Sequence, residues 1–164
     1  MRKVIIGIMG PGEKATASEL DLAYRLGNAI AQLGWVVLTG GRKAGVMDAA
    51  SRGAKAAGGL TVGILPGADQ WGISEAVDIA IATDTGNGRN NINVLSSDVV
   101  VACGMGLGTA SEVALALKNG KVAILLGNEA QSVAFWQGLA GERVKVARDV
   151  EDAIAMLRSM IIDN

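Results

Sequence analysis

Short runs of β-branched and aliphatic residues recur along the chain at 3–9, 35–39, 60–65, 77–82, 98–103, 121–126 and 143–147. Each has the length of a strand and few polar positions, the pattern of strands buried on both faces. Segments with helical spacing separate them. Leu22, Leu26, Ile30 and Leu33 fall at steps of four, four and three and share one helix face. Thr16 and Glu19 supply the Thr-x-x-Glu pattern of a capping box ahead of that helix, and Gly34 ends it. The alanine-rich stretch 46–57 predicts a second helix lying close to the sheet, stopped by Gly58-Gly59. A short helix is expected after Arg89, ending near Ser96-Ser97-Asp98, where Asp98 reads as structural. Residues 110–118 are apolar almost all round after Glu112 and end at Asn119-Gly120, as in a helix buried under its neighbours or between copies of the chain. The last helix starts near Asp149 and puts Val150, Ile154, Leu157 and Ile161 on one stripe.

Alternation of buried strands with amphipathic helices defines the fold class as α/β. The expected architecture is a Rossmann-like, doubly wound open sheet of about seven mostly parallel strands with helices on both faces. A length of 164 residues, without linker, low-complexity tract or fixed-period repeat, suits a single domain over 1–164.

Composition narrows the chemistry. With no histidine, neither a Ser-His-Asp system nor a histidine-ligated zinc is available. Cys103 is the lone cysteine, so an intrachain disulfide and a multi-thiolate metal site are both excluded, and it reads as a small hydrophobe at a strand end. No metal site is expected. The formal net charge of −1 gives no general attraction for nucleic acid or an anionic membrane. The first apolar run is too short for a signal peptide, and glycines and charges break every other run before a membrane-spanning length. A soluble, cytoplasmic protein is expected.

Glycine is present at about twice its usual share, with 23 residues. Twelve of these fall in loops that follow predicted strands. They are Gly10 and Gly12; Gly40, Gly41 and Gly45; Gly67; Gly86 and Gly88; Gly104, Gly106 and Gly108; and Gly127. In a parallel sheet these loops share one edge, where ligands bind. Glycine there lets backbone N–H groups approach an anion, and the head of the next helix adds partial positive charge. The strongest candidate is Gly104-Met105-Gly106-Leu107-Gly108-Thr109 running into Ala110-Ser111-Glu112. Neither a Gly-x-Gly-x-x-Gly fingerprint nor a Walker sequence is present.

Two of these loops add positive charge. Arg42 and Lys43 sit among Gly41 and Gly45 as phosphate partners, and Arg89 follows Gly88 with a guanidinium suited to a phosphate or carboxylate. Glu112 lies three residues after Thr109, which suits a capping box or helix-dipole partner as well as a catalytic carboxylate. Trp71, in a polar loop, fits a ring-stacking or covering role and equally packing under the loop.

Together these motifs resemble the Lonely Guy (LOG)-like superfamily, which has carried the label "possible lysine decarboxylase". Gly40–Met47 with the alanine-rich stretch to Gly58-Gly59 is similar to that family's second loop. Arg89, Ser97-Asp98 and the segment from Gly104 to Glu112 match its later signature in spacing. Asn90, Asn93 and Gly104-Met105 depart from the family's Lys, Met and Pro-Gly, and this variant looks most like the molybdenum cofactor carrier protein branch.

That resemblance implies a binding protein for a phosphorylated pterin- or nucleotide-like ligand, with the molybdenum cofactor (molybdopterin) bound and protected rather than consumed. It implies the alternative of a nucleoside 5′-monophosphate phosphoribohydrolase, in which Arg89 and Glu112 would be catalytic. Under either reading the ligand-binding set is Gly10, Gly12, Gly40, Gly41, Arg42, Lys43, Gly45, Arg89, Gly104, Met105, Gly106, Leu107, Gly108, Thr109 and Glu112. A homo-oligomer, dimer or tetramer, is implied as well. No segment suggests a pyridoxal phosphate site, which argues against a lysine decarboxylase.

Overall fold

The computed structural model describes residues 2–162. Seven strands, β1 (Ile5–Met9), β2 (Val36–Thr39), β3 (Thr61–Leu65), β4 (Ile79–Ala82), β5 (Val99–Cys103), β6 (Ala123–Leu126) and β7 (Val144–Ala147), form one sheet. Their order is β4-β3-β2-β1-β5-β6-β7, and every pair is parallel. Each predicted strand is present, beginning one or two residues inside the apolar run that marks it and ending with that run. The helices are α1 (Ala17–Gln32), α2 (Gly45–Ala56), α3 (Arg89–Ser96), α4 (Leu107–Lys118), α5 (Ala130–Ala140) and α6 (Val150–Ile162). This is the Rossmann-like α/β architecture that the alternating pattern predicts.

Side-chain alternation divides the core between the two faces. Ile6, Ile8, Val99, Val101, Cys103, Ile124 and Leu126 pack on one face with residues of α1, α2 and α6. On the other, Met9, Leu38, Ile64 and Val100 meet Val94 of α3 and Ala116 of α4, while Ala102 and Leu125 meet Val113, Leu117 and Trp136. β1 lies in the middle, with Ile6 facing Val36's neighbour Val37 on one side and Val99 on the other. Asp98 ties the start of β1 to β5 by accepting the Ile5 amide at 2.8 Å and pairing with Arg2 at 2.6 Å. Its structural role is therefore clear.

The Thr16–Glu19 capping box is complete: Thr16 N–H donates to Glu19 Oε2 at 2.7 Å and Glu19 N–H to Thr16 Oγ1 at 3.2 Å. Two glycines that belong to no ligand loop set how closely α1 and α2 cross. A Cβ on Gly27 would stand 2.1 Å from Ala50 O, and one on Gly53 would stand 1.9 Å from Tyr24 O. Either clash would force the helices apart.

Three elements differ from the sequence expectation, the first being β4, which at the sheet's edge leaves Ile79 and Ile81 exposed instead of buried on both faces. Helix α5 is unassigned by spacing: Trp136 is its one buried residue, Val133 and Ala140 are half-buried against the same core, and the exposed Phe135 and Leu139 spread its apolar positions round the helix. The helix predicted over 110–118 begins at Leu107, and it is not buried all round, since Ala114 and Lys118 are exposed.

Candidate functional site

Strand order reverses between β1 and β5, and the connections from these two strands diverge at their carboxyl ends. A crevice of about 440 Å³ opens there. Gly10, Pro11, Gly12, Glu13 and Lys14 come to it from the loop after β1, and Arg42 and Met47 from the connection after β2. Arg89 and Asn90 enter on the first turn of α3, and Gly106, Leu107, Gly108, Thr109 and Glu112 from the head of α4. This is where an open parallel sheet binds its ligands.

The head of α4 carries no side-chain cap, and its flanking residue is Gly106. The first helical bond runs from Ala110 N–H to Gly106 O at 2.8 Å. The amides of Leu107, Gly108 and Thr109 precede it, the groups that a helix leaves without internal partners. Thr109 is the third helical residue, so the capping-box reading of Thr109 and Glu112 is corrected: the helix starts earlier than its apolar pattern. Thr109 is 2% exposed, and its Oγ1 is buried without a hydrogen-bond partner. An orphan hydroxyl of this kind is costly in a finished structure.

Arg89 is half-buried beside it. Its Nη1 donates to Gly40 O at 2.6 Å and Ile64 O at 2.8 Å, which fixes the guanidinium across the ends of β2 and β3. Burial pushes its pKa below the usual value; Glu112 opposes that shift and Arg42 adds to it. Glu112 is 8% exposed and accepts a hydrogen bond from Asn93 Nδ2 at 2.9 Å. Burial raises its pKa, while the Asn93 donor and the Arg89 charge pull the other way. Asn90 Nδ2 donates to Ser111 Oγ at 2.8 Å, and Ser111 Oγ donates to Gly108 O at 2.7 Å, joining the starts of α3 and α4.

The remaining candidates take other places. Gly40 shapes the site indirectly, since a Cβ there would lie 2.1 Å from Arg89 Nη1. Gly41 has φ +76 and backs onto Gly63, and Gly45 has φ +50 with a would-be Cβ 2.0 Å from Gly12 O. Lys43 points away from the crevice to Glu75, 2.5 Å distant. Gly104 faces Glu19, and Met105 packs beside Trp136 and its neighbours. Trp71 is 84% exposed, so it does not pack under its loop, and it is not among the residues lining the crevice that its covering role would place it over. A larger hollow of about 620 Å³ lies by Tyr24, Lys43, Arg52 and Lys55. Its cations are already paired, with Glu75, Asp48 and Asp78 respectively, so it offers a weaker claim to an anion.

The model of the SLOG cluster4 family matches residues 3–154. The chain belongs to this family. The LOG-like membership implied by the motifs is thereby established. The fold superposes on the molybdenum cofactor binding protein from the phototrophic bacterium Rippkaea orientalis with a TM-score of 0.96 and 59% identity, covering 98% of this chain and 99% of that one. A second solved structure, the molybdenum cofactor carrier protein from Chlamydomonas reinhardtii, gives a TM-score of 0.94 and 51% identity over 98% and 99% of the two chains. A cytokinin riboside 5′-monophosphate phosphoribohydrolase of Mycobacterium tuberculosis is 35% identical over 99 residues, 59% of this chain and 53% of that enzyme.

In this SLOG cluster4 member, sequence reasoning leaves Pro11, Glu13, Lys14, Met47 and Asn90 out of the site set, although all line the crevice. Glu13 and Lys14 directly follow the first glycine pair, which was signal enough to include them. Met47 closes the Gly40–Met47 motif, but as an apolar residue of the alanine-rich helix it reads as core, and it is the packing of α2 on β1 that brings it to the crevice.

Proposed function

We propose that the protein is a carrier that binds and protects the molybdenum cofactor, held by its phosphate at the head of α4. The observation that carries this reading is the buried, unpartnered Thr109 Oγ1 beside three free helix-head amides. That donor set fits a phosphate, which accepts from hydroxyl and amide alike and gains from the helix dipole. Gly12, Gly106 and Gly108 let the ligand come close to the backbone, Gly10 lets the loop after β1 pack against Cys103 O and Val46, and Arg42, Lys14 and Arg89 offset the ligand's charge. The high identity to two cofactor-binding relatives over nearly their whole lengths supports the same ligand class.

The decisive experiment is equilibrium binding of purified molybdenum cofactor under anaerobic conditions, followed by exposure to air. Bound cofactor should survive longer than free cofactor, and Arg89→Ala should weaken binding. No protection, together with unchanged affinity in that variant, would overturn the carrier reading. Supporting an oligomer, Phe135 and Leu139 expose apolar surface on α5. We place the carrier in the cytoplasm as a homo-oligomer, with neither nucleic acid nor membrane as its partner, and light scattering tests the assembly.

One observation favours a second reading, a phosphoribohydrolase. Arg89 and Glu112 line the same crevice, and a buried carboxylate with a raised pKa can assist glycosidic cleavage. Release of free base from nucleoside 5′-monophosphates, lost in Glu112→Ala, would put the enzyme first.

A further inference from the structure

Asn93 is wholly buried on α3, donates Nδ2 to Glu112 Oε1, and leaves its own Oδ1 without a partner. The amide thus gives up its carbonyl in order to serve the carboxylate. Such a donor is strongest toward a charged acceptor. Arg89 does not take over this role: its Nη1 is engaged by Gly40 O and Ile64 O, and among the described residues no ion pair joins it to Glu112. A buried carboxylate in a crevice rich in anion donors, whose other carboxylate, Glu13, is exposed and paired with Arg42, opposes any ligand that brings only negative charge. Specificity often rests on such a repulsive element.

We propose that Asn93 holds Glu112 ionised as a filter that rejects bare tetrahedral anions and admits phosphorylated ligands presenting an N–H or O–H donor to the carboxylate. Glu112 is the group that meets the ligand, and Asn93 is a positioning residue acting through it. This rests on the reading of the crevice as a phosphorylated-ligand site. It gives that site a means of excluding the free phosphate and sulfate that share the ligand's anchoring group.

The groups facing Glu112 are few. Arg89 and Asn93 come from α3, Arg42 from the loop after β2, and Glu13 and Lys14 from the loop after β1. Arginine and lysine keep their charge throughout the neutral range. Glu13 is exposed, at the mouth, 3.6 Å from Arg42. Glu112 is consequently the buried acid whose ionisation a bound dianion senses.

Sulfate is the probe, because its charge is fixed through the neutral range, and its affinity is measured by calorimetric titration across pH. The wild type should bind weakly, with affinity falling as pH rises and Glu112 ionises. Glu112→Gln keeps the shape and an acceptor for Asn93; it should bind about tenfold more tightly at neutral pH and lose that fall. Asn93→Leu removes the donor that stabilises the charge, so the fall should move to higher pH. A purely structural Asn93 would lower stability without moving the profile. Glu112→Gln binding no tighter than wild type, including no binding by either, overturns the filter, as does an Asn93→Leu profile superimposed on wild type. Retained cofactor binding alongside either result leaves the carrier reading intact, whereas lost cofactor binding with the sulfate pattern present removes the carrier reading alone.

Discussion

The loops after β2 and β5 look alike in sequence, each with three glycines and a polar or basic residue beside them, yet they fold into different kinds of surface. After β5, Gly106 and Gly108 line open space at the head of α4, and a Cβ on Gly108 would meet nothing within 4 Å. After β2, Gly41 and Gly45 adopt positive φ with backbone crowded against them. At Gly106 and Gly108 the loop after β5 leaves room for a ligand, whereas the loop after β2, like Gly104 at φ +74 against Glu19, uses glycine because the chain itself needs the room. Glycine density therefore marks where backbone comes close to something, and only the structure says whether that something is a ligand or another strand.

Substitution at paired positions gives the largest test of this contrast. Gly45→Ala forces a side chain into left-handed backbone and against Gly12 O, and should lower stability by about 3 kcal/mol, read by denaturant unfolding. Gly108→Ala lies within a helix in open space and should raise stability by up to about 1 kcal/mol, while its methyl group obstructs the crevice and weakens ligand binding. Equal stability changes in the two variants would dissolve the distinction between the loops.

Thr109→Val separates binding from folding at a single position. Removing an orphan buried hydroxyl should leave stability unchanged or slightly improved, because no protein partner is lost. Cofactor affinity should fall by about ten- to a hundredfold, as expected for the loss of a hydrogen bond to a charged group. If stability falls and affinity does not, the hydroxyl serves the fold and the anion cradle loses its central group.

Much of this was readable in the chain. Buried strands announce themselves by unbroken apolar runs, and the Thr16–Glu19 cap follows from local spacing, so sheet and first helix are predictable from neighbours in sequence. Helix α5 was not, because the exposed Phe135 and Leu139 blur the stripe that Val133, Trp136 and Ala140 turn to the core. The start of α4 was misplaced because glycines at 106 and 108 weaken the helical signal where backbone amides, rather than side chains, matter. Arg89 and Glu112 were recognisable by motif, but their separate engagements with backbone carbonyls and with Asn93 depend on tertiary contacts. Lys43 shows the same limit: one residue from Arg42, it turns to the opposite side.

That divergence predicts a smaller difference. Arg42 borders the crevice with only a long, exposed ion pair to Glu13, so Arg42→Ala should weaken cofactor binding by roughly fivefold or less. Lys43→Ala should leave binding unchanged, since its ammonium is engaged by Glu75 outside the crevice. Equal losses in both would mean that the loop after β2 presents its whole basic pair to the ligand.

The smallest effect is expected at Cys103, which ends β5 immediately before the glycine loop. The thiol is fully buried among Ile8, Val101 and Leu126, and burial, with some help from Glu19, pushes its pKa up to about 12. Thiolate is the reactive form, so at mildly alkaline pH a thiol reagent should leave the native protein unmodified and label it promptly after denaturation. Ligand should not alter that outcome, because Cys103 points to the α1, α2 and α6 face and not into the crevice. Rapid labelling of the native protein, suppressed by cofactor, would instead show that the end of β5 opens with the site. The rigid head of α4 would then be a consequence of ligand binding, and the contrast between the two loops would have to be redrawn as one between a preformed surface and an induced one.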